Sequence, residues 1–156
     1  MTPPNSGEIR WRGDRIRHLG GEFHAQLCYI GHQNAIKEDL TPLENLRASA
    51  RLTATPLSTA SVLAALAQAG LAGREDLACR YLSQGQKRRA ALSRLAYERR
   101  PLWLLDEPFV ALDAQATAWL AAAIGAHLQR GGLAVMTTHQ AVAIPAAIPR
   151  RLRLGD

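Results

Sequence analysis

Two apolar runs dominate the hydropathy pattern, and each ends in polar side chains. Leu102-Trp-Leu-Leu runs into Asp106-Glu107, and Leu133-Ala-Val-Met-Thr-Thr138 into His139. Runs this short, apolar at odd and even positions alike, predict strands buried on both faces. A third, Leu27-Cys-Tyr-Ile30, stops at Gly31. Upstream, Gly7–Gly13 alternates, with Ile9 and Trp11 on one side, so β structure is expected over residues 7–30.

Helical signals separate the strands. Thr41-Pro-Leu-Glu44 has a hydroxyl cap, proline at the first helical position and glutamate three residues after the cap; Leu43, Leu46 and Leu52 follow on one side. A second helix is expected over Ser58–Gln68, stopped at Gly70, and a short segment over Glu75–Tyr81. Ser83 opens what reads as the longest helix, ended by Pro101. It has Ala90, Ala91, Leu92, Leu95 and Ala96 inside and Lys87, Arg88, Arg89, Arg94, Arg99 and Arg100 on the wet side. Ala114–Arg130 is the next helix, broken by Gly131-Gly132, and Arg151-Leu-Arg-Leu154 alternates like an edge strand. Buried strands alternating with helices imply an α/β fold with a mostly parallel sheet. Ligands then sit beyond the carboxyl ends of the strands, where Asp106, Glu107 and His139 stand.

The 156 residues suit one domain. With 47% hydrophobic and 21% charged residues the chain is not of the disordered class. Cys28 and Cys79 have no metal-ligand spacing and read as buried free thiols. Met1–Gly13 is polar, unlike a secretory leader. The uncharged stretches Leu52–Gly73 and Gly131–Pro149 carry hydroxyls and prolines that argue against membrane-spanning helices. The net charge of +6 comes from 19 basic and 13 acidic residues and raises nucleic-acid binding as an alternative. The arginines are spread along helices without a recognition motif, so no nucleic-acid partner is expected.

The candidate chemistry lies at the strand tips. Asp106 is placed to hold Mg²⁺ through water, and Glu107 to polarise an attacking water; both could also be ordinary solvated acids. Leu82-Ser-Gln-Gly-Gln86 opens a helix whose free N–H groups favour an anion, with Gly85 leaving room for a phosphate; an ordinary capped helix explains the same residues. Their order decides between these readings: Leu-Ser-x-Gly-Gln, then Leu-Leu-Asp-Glu-Pro108, then Ala111-Leu-Asp113, then Thr-His-Gln140. In these four motifs the chain resembles the nucleotide-binding domains of ABC transporters.

That resemblance implies a P-loop NTPase-like fold with a small helical subdomain at about 34–82 and a core of signature helix, Walker B strand and switch histidine at 83–156, all within one domain, 1–156. It implies ATP and Mg²⁺ as cofactors. Ser83, Gly85 and Gln86 match the signature that meets the nucleotide of the opposite protomer. Asp106 matches the Walker B acid, Glu107 the catalytic base, Asp113 the D-loop aspartate and His139 the switch histidine. Gln33 matches the Q-loop glutamine, near metal and water. A narrower resemblance, in Tyr29-Ile-Gly-His-Gln-Asn-Ala-Ile-Lys37 and Leu40-Thr-Pro-Leu-Glu-Asn-Leu46, is to the haem-exporter ATPases of cytochrome c maturation, the CcmA family. It implies a homodimer partner, an integral membrane subunit, a place on the cytoplasmic face of the inner membrane and no direct haem contact; His18, His24, His32 and His127 are expected to be surface or structural. No Gly-x-x-x-x-Gly-Lys-[Ser/Thr] occurs, since Lys37 precedes Glu38 and Lys87 precedes Arg88. The resemblance therefore implies a domain whose N-terminal Walker A part is missing, with Pro3–Glu8 matching the segment after the Walker A helix. An alternative is a degenerate or incomplete subunit without its own ATPase activity, contributing only its signature motif to a partner.

Overall fold

A computed structural model of the protein describes residues 6–145 and 147–152. Three strands form its central sheet: β3 (Leu27–Ile30), β4 (Leu102–Asp106) and β5 (Leu133–Thr137). They are parallel, in the order β3-β4-β5, with Leu27, Leu102 and Leu133 aligned at one end and Asp106 opposite Thr137 at the other. The three apolar runs thus form one sheet, and their carboxyl ends share one edge.

The pleat sorts their side chains. Cys28, Ile30, Trp103 and Leu105 face the main core, where Leu92, Leu95, Leu120 and Ile124 cover them. These come from α5 (Gln84–Leu92), the 3₁₀ turn Ser93–Ala96 and α6 (Ala114–Gln129). Cys28 is fully enclosed, and burial pushes its thiol up to about 12, against the opposing pull of Arg94. Only part of the other face is covered. Phe23, Leu27 and Leu102 form a small cluster with Trp11, Ile16 and Leu19, whereas Tyr29, Leu133 and Val135 are about half exposed. A third cluster, of Leu46, Val62, Ala65, Leu66, Leu71 and Ala90, joins α3 (Pro42–Leu52) and α4 (Thr59–Gln68) to α5. The capping box of α3 forms as expected, with the Glu44 amide donating to Thr41 Oγ1 and the Thr41 amide to Glu44.

Five expectations need correction. Residues 7–30 are not continuous β structure: a hairpin of β1 (Arg10–Trp11) and β2 (Asp14–Arg15) leads into α1 (Ile16–Leu19) and α2 (Gly21–Ala25). The helical spacing of Ile16, Leu19 and Phe23, all in one cluster, carries that signal. The Ser83 helix ends at Leu92, where Ser93 donates its hydroxyl to the Ala90 carbonyl and the chain tightens to 3₁₀; α6 is the longer helix. Only Cys79–Tyr81 of the 75–81 segment is helical. Lys87 and Arg88 are buried, not solvated. Arg151 and Leu152 form no strand; Arg153, Leu154 and Pro3–Asn5 lie outside the described residues.

His127 supports the main core from α6. Its ring stacks on Trp103 with centroids 3.9 Å apart and planes 7° from parallel, and its Nε2 lies 3.2 Å from the Leu133 carbonyl. Such stacks contribute about 0.5–1.5 kcal/mol beyond area burial. Burial, aided by Arg130, lowers its pKa from 6.5; the bond to Leu133 opposes this. The unfolded chain thus takes up the proton first as pH falls. Stability is full above about pH 6.5 and is lost as pH drops toward the lower folded-state pKa. Thermal unfolding followed at pH 7.5 and 5.5 should show this loss, and His127→Gln should reduce it.

Candidate functional site

The register of β4 against β5 builds the site. Asp106, the last residue of β4, faces Thr137, the last of β5. The Thr137 hydroxyl donates to Asp106 Oδ1 at 2.7 Å and accepts from the Glu107 amide at 3.0 Å, and the Thr137 carbonyl accepts from the same amide at 3.2 Å. Glu107 leaves the strand with φ +46°, a left-handed conformation costing a side-chain-bearing residue about 1–2 kcal/mol. Its carboxylate lies 3.3 Å from Nε2 of His139, whose side chain is 94% exposed while that of Glu107 is largely buried. Asp106, Glu107 and His139 therefore meet at one edge. Gln33, in the loop after β3, lines with Asp106 a cavity of about 390 Å³ that Tyr29, Asn34 and Arg94 also border.

The other expected residues form a second group at the start of α5. Ser83 is the N-cap: its hydroxyl accepts from the Gln86 amide at 3.2 Å, and the Gln86 side chain accepts from the Ser83 amide at 2.9 Å. Gly85 has a packing reason to be glycine, since a Cβ there would sit 2.7 Å from the Ala111 carbonyl oxygen. Asp113 caps α6 by accepting from the Ala116 amide at 2.8 Å, and lies 3.7 Å from Arg89. The Gly85–Ala111 approach brings the two helix starts side by side.

Three contributors were not legible as such. Thr137 gave no signal beyond its place before the histidine. Asn45 pairs with Lys37 as a strand neighbour would, accepting from its amide at 2.8 Å and donating to its carbonyl at 2.9 Å, and so pins the loop after β3 to α3. Arg88, read as surface, sends one arm to the Gly31 carbonyl at 2.9 Å and the other to the Asp106 and Glu107 carbonyls at 3.0 and 2.9 Å. Burial lowers its pKa, and the charges of Asp106 and Glu107 oppose that shift.

The family model described as ABC transporter matches residues 1–110. The chain is 65% identical over 155 residues to the cytochrome c biogenesis ATP-binding export protein CcmA of Dechloromonas aromatica, covering 99% of this chain and 76% of that protein. It is 46% identical over 154 residues to the CcmA of Nitrosospira multiformis, with 99% and 75% covered. The chain belongs to the CcmA branch of the ABC transporter family. A solved ATP-binding subunit of an ABC transporter superposes on this CcmA-family chain with a TM-score of 0.72 at 28% identity, over 87% of this chain and 57% of that one. An ATP-binding cassette solved as a post-hydrolysis dimer with ADP and Pi superposes with a TM-score of 0.74 at 21% identity, which speaks to the fold alone; 89% and 65% are covered. The chain thus spans less than two thirds of either solved structure.

The oxygen donors at the strand tips suit a hard cation that keeps several waters. Asp106 offers a carboxylate beside a shared cavity, and among the described residues no group of three or more His, Cys, Asp or Glu is arranged to hold a metal ion by itself. Mg²⁺ is bound through one or two carboxylates plus substrate phosphates, not by an all-protein cage. Among the residues described, the phosphate-cradling lysine loop of P-loop enzymes has no counterpart.

The contact at Gly85 makes a clear prediction. Gly85→Ala should destabilise the CcmA-family chain by about 1–3 kcal/mol through overpacking against Ala111, whereas Gln84→Ala, at an exposed position, should stay within about 0.5 kcal/mol. Chemical denaturation of both variants checks this.

Proposed function

We propose that the chain is the ATP-binding and hydrolysing subunit of an ABC-type haem exporter in c-type cytochrome biogenesis, docked to an integral membrane subunit on the cytoplasmic side of the inner membrane. The observation that carries this is the meeting of Asp106, Glu107 and His139 at one strand edge, in a chain 65% identical to a CcmA along its length. Among the described residues no helix is long and apolar enough to cross a membrane, which fits a separate membrane subunit.

Asp106 and Gln33 would hold Mg²⁺ through their oxygens and water. When bound, Mg²⁺ offsets charge on the phosphates. Glu107 accepts a proton from the attacking water. Its largely buried carboxylate stands on a backbone held by Thr137 and Arg88. His139, 3.3 Å away, can reach both that carboxylate and a phosphate oxygen from its exposed position. Ser83, Gly85 and Gln86, with the N-terminus of α5, face the nucleotide of a second protomer, and Asp113 lies at that boundary. Residues 34–82 form the helical subdomain, and 83–156 the core that carries the chemistry.

Mg-ATP hydrolysis by the purified chain, alone and with its membrane partner, tests the proposal. Glu107→Gln should lower kcat by about 100-fold or more with little change in unfolding temperature. Hydrolysis unaffected by that substitution would defeat it.

The exposed, capped start of α5 beside Asp113 supports a second reading, in which the chain supplies its signature to a nucleotide site on another subunit. Here Ser83→Asp is informative, because aspartate caps a helix as well as serine does yet repels a phosphate. Added to a homologous subunit that hydrolyses ATP, the unaltered chain should stimulate hydrolysis. Ser83→Asp should abolish the stimulation with no loss of helix stability.

A further inference from the structure

Arg88 is 4% exposed and occupies the middle of α5, one turn past the Ser83 cap. Its guanidinium touches no other side-chain charge within salt-bridge distance among the described residues; its good partners are backbone carbonyls. Nη1 donates to Gly31 at 2.9 Å, with longer 3.4 Å approaches to the His32 carbonyl and Asn34 Oδ1. Nη2 donates to Asp106 at 3.0 Å and to Glu107 at 2.9 Å. The first set flanks Gln33, and the second belongs to the two acids. Nε is buried with no partner among the described residues.

Burying a guanidinium is costly unless its donors are satisfied. Here that cost is offset by carbonyls from two segments far apart in sequence, at the ends of neighbouring parallel strands. Both carbonyls beside the left-handed peptide of Glu107 point at one nitrogen, while Thr137 holds the Glu107 amide from the other side. Arg88 and Thr137 together hold Glu107 in a backbone conformation it would not adopt alone. A lysine could not do this, since one ammonium cannot span both carbonyl sets in the fixed fork of a guanidinium.

We infer, resting on the hydrolytic function proposed above, that Arg88 is a positioning residue: it ties the loop carrying Gln33 to the Asp106–Glu107 turn, so that the two move as one unit. Displacement of the 31–34 loop is then transmitted directly to the backbone that carries the general base. Lys87, donating to Glu38 at 2.6 Å, anchors the same loop farther along but reaches neither acid.

The test uses the full chain bearing Arg88→Met, which keeps the stem and removes every donor, and Arg88→Lys. In Arg88→Met the Glu107 amide should exchange at least tenfold faster. Order parameters at residues 32–34 should fall from the rigid range near about 0.85 to below about 0.6. Amides in the middle of α6, at Ala121 and Ile124, should stay within twofold. Arg88→Lys should restore at most one of the two segments. In hydrolysis assays kcat should fall at least tenfold with KM for Mg-ATP within threefold. An unchanged Glu107 amide in Arg88→Met, equal acceleration throughout α6, restoration of both segments by lysine, or a KM effect with kcat intact would each overturn the inference. Should Arg88→Met not fold, Arg88→Lys decides by the same exchange readout. An unaltered chain that hydrolyses no ATP would count against the proposed function alone, because exchange and relaxation still report whether the two segments are joined.

Discussion

The in-register alignment of three parallel strands is the constraint on which the rest depends. Because Asp106 lies opposite Thr137 and Ile30 opposite Leu105, the acids, the histidine loop and the glutamine loop emerge on one side. A slip of one residue would turn Trp103 and Leu105 out of the core and Leu104 into it. Burial of Trp103 between His127 and the apolar layer of α5 and α6 makes such a slip expensive. The geometry of the site is therefore fixed in large part by side chains buried in the main core.

A second layer of control is electrostatic and comes from α5. The helix presents its capped N-terminus on one side and sends Arg88 and Lys87 inward toward the loop after β3. One nine-residue helix thus touches both residue groups of the site. Its small apolar residue Ala90 packs against α3 and α4, while Leu92 packs under the sheet. Rigid-body movement of α3 and α4 has a mechanical route to the acids through a single element.

The apolar runs and punctuating residues made most of this legible. Strands of four or five apolar residues closed by Gly31, Asp106 or Thr137 are hard to read otherwise, and the caps read at Thr41 and Ser83 both form. Short helices were missed at 16–25 because two single turns leave too little periodicity to compete with a neighbouring β pattern. Arg88 was misplaced for a different reason. Helical spacing reports which face is apolar, but not that a charged side chain will find five acceptor oxygens beneath it; those carbonyls come from residues 31, 32, 106 and 107 and the amide of Asn34, which only the tertiary fold collects. Gly85 was recognised, yet its neighbour in space, Ala111, was not.

The sealed thiol of Cys28 has a practical consequence. It sits at the centre of β3 with no exposed surface and a strong bias toward the protonated, unreactive form. An alkylating reagent can modify it only in molecules whose sheet has come apart. The speed of that modification is therefore a clock, already built into the chain, for how often the three strands separate.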